Sequence, residues 1–188
     1  MQMPTRTAGV LPRGFTLVEI MIALAVLSIL GTLAVPGFTN LYLDSSRTSA
    51  VNAFIHTIFL ARSEAIKRGD IVSVCKSSNA SSCENGASDW NRGWIVFANS
   101  DRDEPPVRDD DEPVLYVSEG WRSGTISSNR TAFSFRPHIQ GVINGTVVFC
   151  DRRGSTTARA IIISHVGRPR VARRDASNRP LTCPTASS

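Results

Sequence analysis

The chain has 188 residues, 41% of them hydrophobic, which is enough for one globular domain with a core. Nothing in the composition indicates a second domain. The formal net charge of +5 is unevenly distributed: residues 101–112 carry seven acidic residues and two arginines, whereas residues 150–188 carry eight arginines and two aspartates. The C-terminal fifth is therefore the basic part of the chain.

The first element in chain order is an apolar run from Phe15 to Phe38, in which Glu19 is the only charge. A helix of this length rises about 1.5 Å per residue and spans the roughly 30 Å of hydrocarbon in a bilayer. The run is longer than the apolar region of a signal peptide, and no cleavage pattern follows it. Arg6 and Arg13 precede the run, which predicts a cytoplasmic N-terminus and places the remaining chain outside.

Glu19 needs an explanation, because a carboxylate at the bilayer centre costs on the order of 3 kcal/mol. One interpretation is that it reaches the interface and favours the positive N-terminus of the helix. The other is that cleavage after Gly14 frees an α-amino group on Phe15, one helical turn away or on a neighbouring subunit. The run by itself leaves both interpretations open.

The residues RGFTLVEIMIALAVLSILGTLAVPGF resemble the N-terminus of type IV pilins and pseudopilins. The resemblance implies that a prepilin peptidase cuts after Gly14 and N-methylates Phe15. It also implies that Glu19 is an assembly residue, which pairs with a terminal amine when subunits pack in the filament.

This resemblance divides the chain into a cleaved leader at 1–14, a transmembrane and filament-core helix half at 15–38, and a periplasmic or extracellular head at 39–188. Pro36 should bend the helix, because it cannot donate a backbone hydrogen bond. The expected partners are the peptidase, other pilins of a type IV pilus and, before assembly, the inner membrane, which the chain crosses once.

An amphipathic helix is predicted after Pro36 and should end at Gly69. Its apolar stripe comprises Val51, Phe54, Ile55, Ile58, Ala61, Ala65 and Ile66. Charged residues occupy its other faces: Arg47, Arg62, Glu64, Lys67 and Arg68. Short β-rich segments follow: IVSVC at 71, GWIVFA at 93, VLYVS at 114, TAFSF at 131, GTVVFC at 145 and ARAIIIS at 158.

One long helix and about six or seven strands predict an α+β domain, with the helix packed on antiparallel sheet. The stretches ARSEAIKRGDIVSVCKS and WNRGWIVFAN resemble the FimT/GspH group of minor pilins and pseudopilins. This resemblance implies a type IV pilin-like fold for nearly the whole mature chain.

The four cysteines are Cys75, Cys83, Cys150 and Cys183. They lack the tight C-x-x-C spacing of zinc sites, and no histidine lies close in sequence, so no metal site is predicted. An even number of cysteines outside the cytoplasm favours two disulfides. Of the three possible pairings, 75 with 83 and 150 with 183 is the most local.

The sequence offers no catalytic constellation. His56, His138 and His165 each lack an accompanying serine or cysteine nucleophile motif, so we expect no enzymatic activity and no cofactor. The acidic segment 101–112 lacks the glycine register of a calcium loop and is interpreted as a solvated surface loop. Trp90, Trp94 and Phe97 are predicted to lie in the core: they alternate on or near a strand.

The stretch ISHVGRPRVARR is the most informative part of the basic segment. Gly167 permits a turn, Pro169 stiffens it, and Arg168 and Arg170 can point the same way in an extended segment. Arginine suits phosphate, because its guanidinium group is planar, permanently charged and bidentate. The alternative is that these arginines solubilise a surface or pair with the acidic segment of the same or a neighbouring subunit.

GRPR, which follows the last predicted strand, resembles the GRxR motif of FimT-type pilins involved in DNA uptake. The resemblance implies that Arg168 and Arg170, with Gly167 in the same motif, are the primary contacts to double-stranded DNA. Additional contacts would come from Arg173, Arg174 and Arg152. Two function classes remain: a minor pilin that binds DNA without sequence preference for natural transformation, and a structural minor pilin or type II secretion pseudopilin.

Overall fold

The long helix α1 spans Leu17–Arg68 and is followed by eight strands within the described residues. The computed structural model describes residues 14–86, 89–137 and 144–184, but not the side chains of 33–36. Residues 1–13 of the leader, which include Arg6 and Arg13, and also His138 lie outside the described residues. The chain divides into two compact units, Met1–Tyr42 and Leu43–Ser188.

In the first unit, α1 begins with a side-chain cap. The Glu19 N–H donates to Thr16 Oγ1 at 3.3 Å, and the Ile20 N–H donates to the Thr16 carbonyl at 3.2 Å. Within the apolar segment, the Ser28 and Thr32 hydroxyls donate to the carbonyls of Leu24 and Ile29, each at 2.8 Å. The polar groups of these two side chains are therefore satisfied by the helix itself.

In the second unit, the end of α1 follows the prediction. Gly69 adopts a φ of 70°, and its N–H donates to the Ala65 carbonyl at 3.0 Å. Glycine is favoured there because the left-handed region strains other residues. The apolar stripe is buried at Phe54, Ile58, Ala61 and Ala65.

The predicted faces of α1 need two corrections. Ile66 is 58% exposed, because it directly follows Ala65 and lies off the buried line of the stripe. Arg47, predicted on a polar face, is only 4% exposed. Its burial is explained by carboxylates from α1 and from β6, described below.

The strands form two four-stranded antiparallel sheets, with orders β3-β2-β1-β5 and β4-β6-β7-β8. Their bounds are β1 Ile71–Lys76, β2 Trp94–Asn99, β3 Val114–Ser118, β4 Gly124–Ser128, β5 Ala132–Phe135, β6 Gly145–Asp151, β7 Arg159–Ile163 and β8 Pro169–Ala172. The α+β class and the six predicted strands are confirmed. The strands β4 and β8 were missed, and GRPR overlaps β8 instead of following the last strand.

The main core lies between α1 and the inner faces of both sheets. Phe54 of α1 is its centre, with ring centroids 5.1–6.3 Å from those of Trp90, Trp94, Phe133 and Phe149. The Trp94 indole N–H donates to Thr57 Oγ1 at 2.9 Å, and the Trp121 indole N–H donates to Ser46 Oγ at 2.9 Å. Directed bonds therefore join α1 to β2 and to the segment between β3 and β4, in addition to apolar contact. Trp90, Trp94 and Phe97 are all buried, as predicted.

Both disulfides lie on the outer faces of the sheets. Cys75 is bonded to Cys83, and Cys150 of β6 is bonded to Cys183 near the C-terminus. These are the two pairings that the spacing favours. The second bridge and the buried Leu181 hold the C-terminal segment against the outer face of the second sheet.

Candidate functional site

Two parts of the chain carry the predicted functional residues, and the first is the start of α1. Gly14 and Phe15 precede the helix, and Phe15 is 81% exposed. Glu19 lies in the first turn, where its backbone N–H is capped by Thr16. Its carboxylate makes no hydrogen bond or ion pair within the described part of the chain. The sequence signal for this cap is a threonine followed three residues later by a glutamate.

The helix that follows is apolar and exposed along its length. Large apolar side chains there are 49–74% exposed: Leu17, Val18, Ile20, Met21, Ile22, Leu24, Val26, Leu27, Ile29 and Leu30. Within the described residues, no single straight helix is long and apolar enough to span a membrane. Two segments of α1, Leu17–Thr32 and Gly37–Arg68, are long and apolar enough when they are taken together, with a bend of 41° between them.

The second part is the hairpin of β7 and β8, which presents the GRPR motif. Its turn is closed by the Gly167 N–H, which donates to the Ser164 carbonyl at 2.8 Å, and by the Ser164 N–H, which donates to the Arg168 carbonyl at 3.1 Å. Gly167 has a φ of 72°, a conformation in which other residues are strained. On the helix side, Arg62 Nη1 donates to the Val166 carbonyl at 2.7 Å. The turn is therefore held from within and from α1.

The register of β8 decides which way Arg170 points. Arg170 is opposite Ile162 of β7, whereas Val171 is opposite Ile161, which belongs to the main core. Opposite residues share a face in an antiparallel pair, so Arg170 lies on the outer face of the sheet. Arg168 is two residues away and is also exposed. Neither guanidinium group has a hydrogen-bond or ion-pair partner among the residues that the structure describes.

The predicted arginine set is not one continuous cluster. Gly167 and Arg168 lie in the turn just before β8, next to the end of β7. Arg173 and Arg174 follow the end of β8, towards Arg159 at the start of β7. Arg152 belongs to the loop that precedes β7, so the structure separates it from GRPR by the length of that strand.

Half of the eight C-terminal arginines are held by internal bonds. Arg153 pairs with Asp44 and Asp151, and Arg179 pairs with Asp175. Arg159 donates to the carbonyls of residues 157 and 158, and Arg174 donates to that of residue 178. The arginines without such bonds in the described chain are Arg152, Arg168, Arg170 and Arg173. Sequence composition could not separate these two groups.

An ion-pair network joins α1 to the end of β6 and was not predicted. Arg47 lies 2.9 Å from Asp151 and 2.8 Å from Asp44, and Arg153 lies 2.8 Å and 2.6 Å from the same carboxylates. Hydrogen bonds from Arg153 are the main reason that the pKa of Asp151 falls to about 2. The pKa of Asp44 is lowered as well, again chiefly by Arg153. We interpret this network as structural, because its arginines are paired with its own carboxylates.

The remaining titratable residues include the two histidines that the structure describes, His56 and His165, which are both exposed. Across residues 14–86, 89–137 and 144–184, no group of three or more histidine, cysteine, aspartate or glutamate side chains could hold a metal ion. In the acidic segment, Glu112 is buried, and its carboxylate accepts a hydrogen bond from the Ser100 N–H at 2.6 Å. This carboxylate therefore stabilises the loop that the segment forms.

Comparisons with known proteins identify the family of the chain, and the matched ranges stop before Arg168 and Arg170. A family model described as type II transport protein GspH matches residues 50–167, and a model of the prokaryotic N-terminal methylation motif matches residues 12–35. The comparison with curated proteins gave no significant match.

Among solved structures, the type IV minor pilin FimU of Pseudomonas aeruginosa (strain PAO1) is similar in two crystal forms. The TM-score is 0.51 in both, with 18% and 19% identity, over 72% and 74% of this chain and 98% and 96% of FimU. At this identity the likeness shows the fold alone.

Proposed function

The chain belongs to the GspH family of pilin-like proteins, and we propose that it is a minor type IV pilin that binds DNA. The ligand is extracellular double-stranded DNA, bound without sequence preference and taken up in natural transformation. The binding residues are Arg168 and Arg170, which the turn at Gly167 presents. The fold and family are the premise of this proposal, and DNA binding is the step beyond them.

The observation that carries the proposal is the absence of internal partners for Arg168 and Arg170 within the described chain. Both are exposed on a hairpin that is fixed by its turn and by Arg62. Phosphates of the DNA backbone are suitable partners, because the guanidinium group binds phosphate oxygens in a bidentate manner. Contacts to phosphate position a protein on DNA but carry no sequence information, so base-specific recognition is not expected.

The first unit serves anchoring and assembly in this proposal. A prepilin peptidase removes residues 1–14 and N-methylates Phe15. The exposed apolar helix then lies in the inner membrane as a single pass, and later among other pilins in the filament. Glu19 pairs with a terminal amine during that transfer. This role is supported by its carboxylate, which has no partner among the residues that the structure describes. The head at 39–188 is first periplasmic and then extracellular.

A second candidate is a structural minor pilin or a type II secretion pseudopilin that does not bind DNA. The description of the matching family, a type II transport protein, favours it. The internal bonds of Arg153, Arg159, Arg174 and Arg179 favour it too, because half of the basic segment stabilises the head itself.

DNA binding by the full chain in a non-ionic detergent separates the two candidates. We expect the anisotropy of a labelled duplex to report weak binding that falls as salt rises, with a log-log slope of about −0.9 per phosphate contact. The double variant Arg168→Ala/Arg170→Ala should bind more weakly and with a flatter slope. Arg122→Ala is the matched control, because Arg122 is exposed and lies outside the hairpin. Equal binding by the double variant and the parent, or no binding by the parent at low salt, would favour the structural pilin.

A further inference from the structure

A concavity of about 320 Å³ lies beside β8, and three of the residues that line it are arginines: Arg170, Arg173 and Arg174. We refer to it as the arginine concavity. Its volume is near the lower limit of ligand pockets in proteins. It is therefore suited to a small charged group.

The cations of the arginine concavity are not neutralised by the one carboxylate in its wall. Asp175 Oδ1 accepts the N–H groups of Ser177 and Arg179 at 2.9 Å and 2.8 Å, and Oδ2 accepts Arg179 Nε at 2.8 Å. These bonds lower the pKa of Asp175, first through the Arg179 backbone N–H. Because the carboxylate is occupied by Arg179 and the turn, the three lining guanidinium groups retain an excess of positive charge.

One of these guanidinium groups is oriented before any ligand arrives. Arg174 Nη1 donates to the Asn178 carbonyl at 3.0 Å, across a short turn closed by the bridge between Arg174 and Pro180. An arginine carries five N–H donors, so the others are available. The side chains of Arg170 and Arg173 form no hydrogen bond or ion pair with a described residue. A site with one fixed and two free arginines loses less entropy on binding than three free ones.

The positive charge of this region also affects the pKa of a neighbouring residue, Arg159. The pKa of Arg159 is lowered, mainly by burial and then by the charges of Arg47 and Arg173. Arg47 is paired with two carboxylates, whereas Arg173 has no such partner in the described chain. An anion bound beside Arg173 would relieve part of this repulsion.

We propose that the arginine concavity holds one phosphate group of the bound duplex, on which Arg170, Arg173 and Arg174 converge. This inference rests on the proposed DNA binding and specifies its anchor. Arg168 does not line the concavity. It contacts a different phosphate, so the motif GRPR contributes to two separate contacts.

Convergence on one phosphate has a distinct signature in the salt dependence of binding. The slope counts the phosphates that are neutralised, at about −0.9 each, and not the arginines that neutralise them. For the triple variant Arg170→Ala/Arg173→Ala/Arg174→Ala, the magnitude of the log-log slope should therefore decrease by about 0.9. Three independent contacts would lose about 2.7. Adding Arg168→Ala to the triple variant should remove a further contact, again about 0.9.

The test uses the full chain in a non-ionic detergent, with duplex affinity measured over a range of salt concentrations for the parent, the triple variant and Arg122→Ala. In parallel, inorganic phosphate is titrated at constant ionic strength while the arginine Nε–Hε resonances are followed. We expect phosphate to shift the signals of Arg170, Arg173 and Arg174 and to leave that of Arg122 unchanged. Micelles doped with phosphatidylglycerol test whether a lipid headgroup takes the same site.

The outcomes separate this inference from the proposed function. One outcome is that the parent binds duplex while the slope of the triple variant decreases in magnitude by about 2.7, or does not change. In either case DNA binding is confirmed and the single-phosphate anchor is wrong. Phosphate shifts that avoid the three arginines would also overturn the anchor. If these arginines bind the doped micelles and the parent binds no duplex, both proposals fail. Unchanged urea unfolding of each variant shows that a loss of binding is not a loss of fold.

Discussion

Arg47 of α1 and Asp151 at the end of β6 form an ion pair of 2.9 Å, with side chains that are only 5% and 0% exposed. They are 104 residues apart in sequence. Asp44 and Arg153 complete the network, so every charge in it faces an opposite one. A buried ion pair is costly to break from one side, because the remaining partner stays buried without its counter-charge.

We therefore expect Asp151→Asn to lower the free energy of unfolding by about 3 kcal/mol at neutral pH. The asparagine keeps the shape of the side chain but leaves Arg47 and Arg153 with Asp44 as their only carboxylate in the network. Urea unfolding of the full chain in detergent measures the change. Asp110→Asn is the control, because Asp110 is fully exposed and lies 3.8 Å from its nearest arginine. Equal effects of the two substitutions would contradict a stabilising role for the network.

The same network predicts how stability depends on pH. The pKa of Asp151 falls from 3.8 to about 2 in the folded state, so its contribution is present above about pH 4 and is lost as the pH falls towards 2. The contribution is on the order of 2 kcal/mol. The difference in unfolding free energy between the parent and Asp151→Asn should shrink over this range. A difference that is independent of pH would show that the charge of Asp151 does not stabilise the fold.

The local parts of the fold were predictable, and the non-local parts were not. Gly69 predicts where α1 ends, and the pattern of apolar residues predicts six of the strands. The strand β4 was missed because only Ile126 is buried in it, and β8 because its exposed arginine and initial proline do not resemble a strand. The burial of Arg47 depends on a carboxylate that is distant in sequence, and no local pattern reveals it.

The candidate site shows the same limit. The motif at Gly167 indicated a turn and two exposed arginines. Which other arginines are available depends on contacts such as Arg174 with Asn178 and Arg179 with Asp175, which form only when the chain after β8 turns back on itself. Composition counts these arginines equally, whereas the structure assigns them different roles.

Gly167→Ala tests the turn that presents GRPR. At a φ of 72°, a side chain costs about 1 to 2 kcal/mol, so we expect a loss of stability of that size. Gly167→Asn should lose less, because asparagine tolerates the left-handed region better. Urea unfolding of both variants makes the comparison. Equal stability of Gly167→Ala and the parent would mean that the turn relaxes without strain.

The bridge between Cys150 and Cys183 should stabilise the head more than the bridge between Cys75 and Cys83. The sequence separations are 33 and 8 residues, and the longer loop restricts the unfolded chain more. We expect a loss of about 4 kcal/mol for Cys150→Ala/Cys183→Ala and about 2 to 3 kcal/mol for Cys75→Ala/Cys83→Ala. Urea unfolding measures both, and peptide mapping without reductant checks the pairing. The reverse order of stabilities would contradict the loop-length argument.

Glu19→Val tests the role of the acidic residue in the apolar helix. The cap on α1 uses the backbone N–H of residue 19 and the hydroxyl of Thr16, so the substitution should leave the helix start intact. Removal of the charge favours insertion into the membrane, by on the order of 3 kcal/mol or less, because residue 19 lies near the end of the run. The variant should therefore reach the membrane fraction at least as well as the parent. It should be depleted from sheared filaments, because no carboxylate remains to pair with an N-terminal amine.

Two matched variants separate charge from helix capping in this experiment. Glu19→Gln removes the charge and keeps the size, so it should be depleted from filaments like Glu19→Val. Thr16→Ala removes the cap and keeps the carboxylate, at a cost of about 1 kcal/mol to the helix, and should still assemble. Immunoblots of membrane and filament fractions provide the measurement, and the intact mass of the filament protein shows whether it begins at N-methyl-Phe15. If Glu19→Gln assembles normally while Thr16→Ala does not, the first turn matters for its cap, and Glu19 is not an assembly residue.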